Sequence, residues 1–370
     1  MTSRKKPKQR PTSSNKKTNI PFNVPLLGMA MVGVISLLGW TSWQGLTSPV
    51  AGKSNQEQSN QEQSKPAQFV VKPGVSGNQL GVELTQAGLI KSVNGWKIWT
   101  KFKQLSDSSG GFKAGSYEVS PTESLPEIAS KIWDGEIMQT NFTIPEGWST
   151  RQMGKYFESQ GYFSADAFNS AVTTIPDDKY PWLPEDLPIL EGFLYPDTYR
   201  ISSDMTSNPQ AIINTMLTRF EQIALPVYEE EKPEMSLLDW VTLSSIVEKE
   251  AVIGDERPLI AGVFTARLQQ GMRLGSDPTV EYGLGIRQTA DQPLTYAQVG
   301  TPSPYNTYLN TGLTPTPIAA PGIASLKATL NPESTDYLFF VARYDGTHVF
   351  SRTLSEHEAA TREIRRQRNQ

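Results

Sequence analysis

Residues 236–271 read SLLDWVTLSSIVEKEAVIGDERPLIAGVFTARLQQG, a long apolar pattern that carries two glutamates two positions apart, Glu248 and Glu250. A helix is expected from Ser236, whose hydroxyl can cap free N–H groups in an S-x-x-D start with Asp239, and Gly254 and Asp255 should break it. At 100° per residue, Leu237, Trp240, Val241, Val247 and Ala251 form an apolar arc, and Asp239, Thr242 and Lys249 a wet one. Glu248 falls inside the apolar arc and Glu250 at its edge. Flanked by Leu243, Ile246 and Val247, an edge carboxyl is partly desolvated yet reachable; its pKa rises, which suits a general acid. The competing reading makes the pair structural, with Glu248 bonded to Arg257 or Arg267.

Outward from this stretch the chain runs to 370 residues, room for about two domains, with 37% hydrophobic residues. It has no cysteine and two histidines, His348 and His357. A thiol nucleophile is excluded, a His-built metal site or Ser-His-Asp triad is poorly supported, and no metal or cofactor is expected. The net charge of −4 hides an asymmetry: residues 1–17 hold seven of the 34 basic residues and no acid, leaving 27 against 38 acids, a net of −11, for the rest. The body is acidic, and without a basic stripe it is not expected to bind nucleic acid.

Residues 1–23 read as a basic cytoplasmic arm. Thr18–Gly52 carries no charge, and 24–43 supplies a mostly apolar run long enough for a transmembrane helix, since about 20 residues span a bilayer. The flanking lysines and arginines place the N-terminus in the cytoplasm and the body outside, with Trp40 and Trp43 at the far interface. A cleaved signal peptide is the rival, although the run exceeds the usual h-region and no A-x-A site follows. Residues 44–67, with NQEQS repeated at 55–59 and 60–64, form a polar tether.

From 68 to 140 the pattern gives a strand at FVVKPG, a helix over Ser76–Ala87, a second over Gly95–Leu105 with Trp96, Trp99 and Phe102 on one side, and a strand over Gly115–Ser120. This β-α-α-β order resembles the small LysM module, which in other envelope proteins binds N-acetylglucosamine-containing glycans. The tryptophans sit at core spacing as readily as on a sugar-stacking surface. A helix over Ser124–Asp134 and a strand over Met138–Ile144 lead to the second domain, 141–370, and the whole is α+β. In this domain Ser149 and Gln152 cap a helix. Residues 191–199, EGFLYPDTY, crowd acids and rings as carbohydrate sites do. Asp255 caps a helix through Gln270, a proline-stiffened loop bearing Tyr305, Asn306, Thr307 and Tyr308 walls a cleft, Asp345-Gly346 turns a hairpin between Asp336–Ala342 and Thr347–Phe350, and Ser355 with Glu358 caps a C-terminal helix.

EGFLYPDTY, SSIVEKEA, GMRLGSDPTVEYGLG, YNTYLNTGLTPTPIAAPG and YLFFVARYDGTHVF together resemble the YceG-like family of endolytic murein transglycosylases, from about Phe69 to near His357. Ser276 stands where the family's pattern has threonine, and Leu194 and Tyr199 where it has tryptophan. The resemblance implies an inner-membrane-anchored lyase that cuts nascent peptidoglycan strands internally, leaves 1,6-anhydro-muramyl ends and works beside penicillin-binding synthases. It places the catalytic glutamate, the second of the EKE triplet, at Glu250. Supporting or substrate-binding roles fall to Glu248, Glu191, Tyr195, Asp277, Tyr282, Asn306 and Tyr308, with Glu191 or Asn306 as polar company for developing positive charge. Two alternatives stand beside it: a non-catalytic wall-binding adaptor, and a water-using muramidase that would need Glu191 or Asp277 as second carboxylate.

Overall fold

The computed structural model describes residues 40–51, 65–176, 178–289, 292–343 and 345–368. All but the last four positions of the expected membrane span at 24–43, and most of the tether, lie outside them. No helix among the described residues is long and apolar enough to cross a membrane. Contacts divide the chain into two compact units, Met1–Glu136 and Ile137–Gln370, and the architecture is mixed α+β.

In the first unit β1 (Ala67–Val71) pairs antiparallel with β2 (Gly115–Val119), Ala67 opposite Val119. Helices α1 (Gly77–Gln86) and α2 (Val93–Ser106) lie between them in sequence, and α3 (Leu125–Asp134) follows. Each helix starts on a serine, Ser76, Ser92 or Ser124, whose hydroxyl accepts the N–H three residues on. A Cβ on Gly81 would stand 2.4 Å from the Trp96 indole, so glycine is what lets α1 and α2 close. Trp96 is fully buried, stacks on Phe112 and donates its N–H to the Gly77 carbonyl at 2.7 Å; Trp133 is buried too. These rings are core. Phe102 is not on their side but 68% exposed, because six residues of helix turn it about 120° away from Trp96.

In the second unit β3 (Gln139–Thr143) pairs antiparallel with β4 (Thr198–Ser202). Between them come α4 (Thr150–Ser159), opened by the Ser149–Gln152 capping box, and α5 (Ala165–Ala171). Then follow α6 (Pro209–Ile223), α7 (Leu225–Glu231), α8 (Leu237–Glu250), α9 (Arg257–Gln269), α10 (Asp277–Leu284), α11 (Tyr296–Val299) and α12 (Ile323–Leu330). The hairpin β5 (Phe339–Ala342) with β6 (His348–Ser351) and helix α13 (Leu354–Arg368) complete it.

Helix α8 corrects the wheel. Every residue from Trp240 to Val247 is buried, Thr242 included, because α8 serves two cores. Trp240 and Val241 pack with Phe157, Phe193 and Phe220, while Leu243, Ile246 and Val247 pack with Ile260, Phe264 and Leu274. Of the expected wet arc, Asp239 stays exposed while Thr242 is buried, and the two serines between the cores find partners inside: Ser244 bonds the Trp240 carbonyl and the Thr329 hydroxyl, and Ser245 donates to the Thr242 carbonyl and accepts the Ile318 N–H. Only the Thr242 hydroxyl among these has no partner.

Three smaller expectations also shift. Asp255 does not cap α9; it lies in a 3-10 turn, Gly254–Glu256, and Pro258 occupies the helix start instead. Strand β5 begins three residues late, after Leu338, whose carbonyl is held by Arg267 at 2.5 Å. The cap of α13 is Thr353 with Glu356, two residues before the expected pair: the Thr353 hydroxyl accepts the Glu356 N–H and the Glu356 carboxylate accepts those of Arg352 and Thr353.

Candidate active site

The last turn of α8 emerges from the two cores and carries Glu248, Lys249 and Glu250, none of them fully buried by residue. Ala251 then leaves helical geometry and ends it. Because two residues turn a helix by about 200°, the two carboxyls face nearly opposite ways.

Glu248 faces α12. Its carboxylate accepts the Gly322 N–H at 3.1 Å and the Ser325 hydroxyl at 2.7 Å, capping that helix, and pairs with Arg257 at 3.4 Å. Its side chain is 7% exposed. Of the two arginines weighed as its partner, the structure chooses Arg257; Arg267 instead donates to the carbonyls of Leu274 and Leu338. Glu146 lies against the same place, since a Cβ on Gly322 would fall 2.0 Å from its carboxylate. Burial first, then the charge of Glu248, raises the Glu146 pKa.

Glu250 faces α10. The Ser276 hydroxyl donates to its Oε1 at 2.5 Å, and its Oε2 has no hydrogen-bond partner among the described residues. Ser276 is itself held by the proline-stiffened loop: its N–H donates to the Thr307 hydroxyl at 3.0 Å, and the Gly275 N–H to the Thr307 carbonyl at 3.1 Å. Burial pushes the Glu250 pKa up to about 7; the Ser276 hydrogen bond works against this, and the charges of Asp277 and Glu281 add to it. Asp277 accepts the Tyr308 hydroxyl at 2.7 Å and the Gln288 amide at 3.2 Å. Burial, followed by Asp277, keeps the Tyr308 phenol protonated well above its ordinary range. Glu250, Ser276, Asp277 and Tyr308 thus form one connected group. A carboxyl that titrates near neutrality and presents one free oxygen can both give and take a proton near pH 7.

Glu191 is placed differently. It is fully buried and caps α4, accepting the Thr150 N–H at 2.9 Å, the Thr150 hydroxyl at 2.8 Å and the Tyr282 hydroxyl at 3.0 Å. Burial raises its pKa to about 7 against those three donors. Asn306 is 1% exposed, its amide spent on the carbonyls of Val299 and Thr301 at 2.8 Å each. Neither side chain is open to a ligand as it stands. Tyr195, with Phe193 and Leu194, lies in the larger core, so the rings of EGFLYPDTY pack inward rather than lining a sugar surface.

In the sequence Ser276 stands out only as a departure from a motif; its place one residue before Asp277 is the available signal for a hydroxyl at the acid. Arg267 and Glu281, which bias Glu250 electrostatically, and Glu146 carry no local signature, since only the fold brings them together.

The chain matches the YceG-like family over residues 69–363. It is similar to the endolytic murein transglycosylase of Bacillus subtilis (strain 168), 32% identical over 332 residues covering 84% of this chain and 88% of that protein. The endolytic murein transglycosylase of Streptococcus pneumoniae serotype 2 (strain D39 / NCTC 7466) is 30% identical over 77% of this chain; the match covers 56% of that protein. Among solved structures, the crystal structure of a YceG-like protein from Listeria monocytogenes superposes with a TM-score of 0.54 at 31% identity, covering 80% of this chain and 99% of that one.

Proposed function

The chain belongs to the YceG-like family, and on that premise we propose that it is a membrane-anchored endolytic murein transglycosylase with Glu250 as its single general acid and base. The observation that carries the assignment is the setting of Glu250: a carboxyl brought up to about 7 by burial, steadied by Ser276 on one oxygen and open on the other. Protonated Glu250 donates to the glycosidic oxygen between N-acetylmuramic acid and N-acetylglucosamine as the C1–O bond breaks. The resulting carboxylate takes the proton from the muramyl C6 hydroxyl, whose oxygen bonds to C1. The product is a 1,6-anhydro ring, no water is consumed, and Glu250 ends as it began. Asp277 and Glu281, whose charges Glu250 feels, favour the positive charge developing at C1.

The wider reading has residues 24–43 as the anchor, the N-terminus in the cytoplasm, the body outside beside penicillin-binding synthases, and the first unit holding glycan. Protease added to spheroplasts should then digest the body, and protection of the body would overturn the topology.

One observation favours a second reading, a water-using muramidase: Asp277 lies close enough to Glu250 to raise its pKa and could activate water. Digestion of purified murein in ¹⁸O-water by the full chain separates the two. Unlabelled anhydro-muramyl ends by mass spectrometry are the expected result; labelled reducing ends as the primary product would overturn the transglycosylase reading.

A further inference from the structure

A cleft of about 230 Å³ opens beside the catalytic helix end, and its charged lining is one-sided: Arg151, Lys155, Lys249 and Arg287 against a single acid, Glu281, with Tyr282 in the wall. None of the four cations forms an ion pair with a carboxylate among the described residues. Lys249 donates to the Gly147 carbonyl at 3.3 Å, and the Arg151 guanidinium lies 5.8 Å over the Tyr282 ring. Burial and the neighbouring Arg287 both bear on the Lys249 ammonium and lower its pKa. Gathering four cations around a single acid costs free energy that an anionic ligand returns.

Two facts tie this cleft to the reaction. Lys249 immediately precedes Glu250, and Glu281 acts electrostatically on both. A murein strand is neutral along its sugars; its carboxylates sit on the lactyl arm at C3 of each muramyl residue, or on the peptide that arm carries. The ring whose C1 reacts at Glu250 therefore bears such an arm itself. A pyrophosphate-linked strand end is the other anion of this chemistry, but an internal cut leaves it remote from the scissile bond.

We propose that the Arg151–Lys155–Lys249–Arg287 cleft binds carboxylates of the lactyl-peptide arm on the muramyl residue next to the scissile bond. This rests on the murein reading above. The cleft makes the arm, rather than the sugar backbone, the part of the strand that the protein selects by charge. Arg151, Lys155 and Arg287 are exposed, so replacing them removes charge without opening the core.

The test measures binding by calorimetry with full-length chain carrying Glu250→Gln, which is expected to slow turnover about 10³-fold by either reaction. Three strand preparations are compared: peptide-bearing, stripped to the free lactyl carboxylate, and peptide-bearing with every carboxylate amidated. The expected result is about tenfold tighter binding of a carboxylated strand than of the amidated one, fading with added salt, and loss of that difference on adding Arg151→Gln and Arg287→Gln. Which carboxylated strand binds tighter identifies the source. Circular dichroism unchanged by the two substitutions keeps folding out of the comparison. Equal affinity for carboxylated and amidated strands, or a preference that survives both substitutions, overturns the cleft's role alone; failure of all three to bind overturns the murein reading as well. Labelled reducing ends in the ¹⁸O experiment would change the reaction but leave this binding result standing.

Discussion

The two sides of the last turn of α8 are built from the same residue type and do opposite things. Around Glu248 the fold supplies donors: a helix N-terminal N–H, a hydroxyl and a guanidinium, all within 3.4 Å. Around Glu250 it supplies one hydroxyl, two further acids, Asp277 and Glu281, and the smaller, opposing charge effect of Arg267. Burial is common to both, so burial by itself does not make a carboxyl reactive. What differs is the company: donors occupy both oxygens of Glu248 and make it a brace, while Glu250 has a donor on one oxygen only and, raised by burial and by the charges of Asp277 and Glu281, keeps a proton to give.

The largest effect that would break this contrast is on turnover. Glu250→Gln should reduce the rate of product formation by about 10³-fold while leaving Tm within a few degrees, because a general acid is lost and little packing is. Retention of more than a tenth of the rate would remove Glu250 from the chemistry. Glu248→Gln should do the reverse, costing about 2–3 kcal/mol in denaturant unfolding, as Arg257 loses its counter-charge and one of the two acceptor oxygens becomes an N–H donor. Fully stable but inactive Glu248→Gln protein would invert the two roles.

Smaller changes sharpen the comparison through pH. An acid that must be protonated gives a kcat/KM that falls as pH rises through about 7, the value to which Glu250 is pushed. Ser276→Ala deletes the hydrogen bond that lowers this pKa, so the alkaline limb should move up, by about one pH unit at most. A downward shift would show that Ser276 favours the protonated form. The smallest shift is expected from Asp277→Asn, which removes a charge that raises the Glu250 pKa: the limb should move down by about half a unit, with activity reduced but not abolished as one of the two charges favouring the developing cation is lost. Near-complete loss of activity in that variant, together with label in the product, would make Asp277 a reacting group.

The sequence already disclosed much of this. Short-range signals were sufficient where local chemistry decides: the serine caps, the Ser149–Gln152 box, the Asp345-Gly346 hairpin and the β-α-α-β order of the first unit all depend on residues a few positions apart. The pattern also singled out Glu248 and Glu250 and offered Arg257 as a partner. It misled where burial is set from afar. Thr242, read as part of the wet arc, is buried because α8 serves two cores, and its neighbours Ser244 and Ser245 find Thr329 and Ile318 85 and 73 residues away; no helical wheel contains such partners. EGFLYPDTY has the composition of a sugar site, yet its Glu191 is taken by Thr150, 41 residues earlier. The cationic cleft joins residues of α4, α8 and the segment after α10, and was illegible for the same reason.

Helix α8 is gripped along eight consecutive residues, Trp240–Val247, and loosens at its two ends, of which the C-terminal turn carries the acid. In the language of hydrogen exchange, the amides of the gripped segment should open only with the whole domain, whereas those just beyond it can open locally. Glu250 therefore sits three residues past the last gripped position: its lever is anchored in both cores, and its carboxyl adds fast, small side-chain motion to the local opening that the last turn allows.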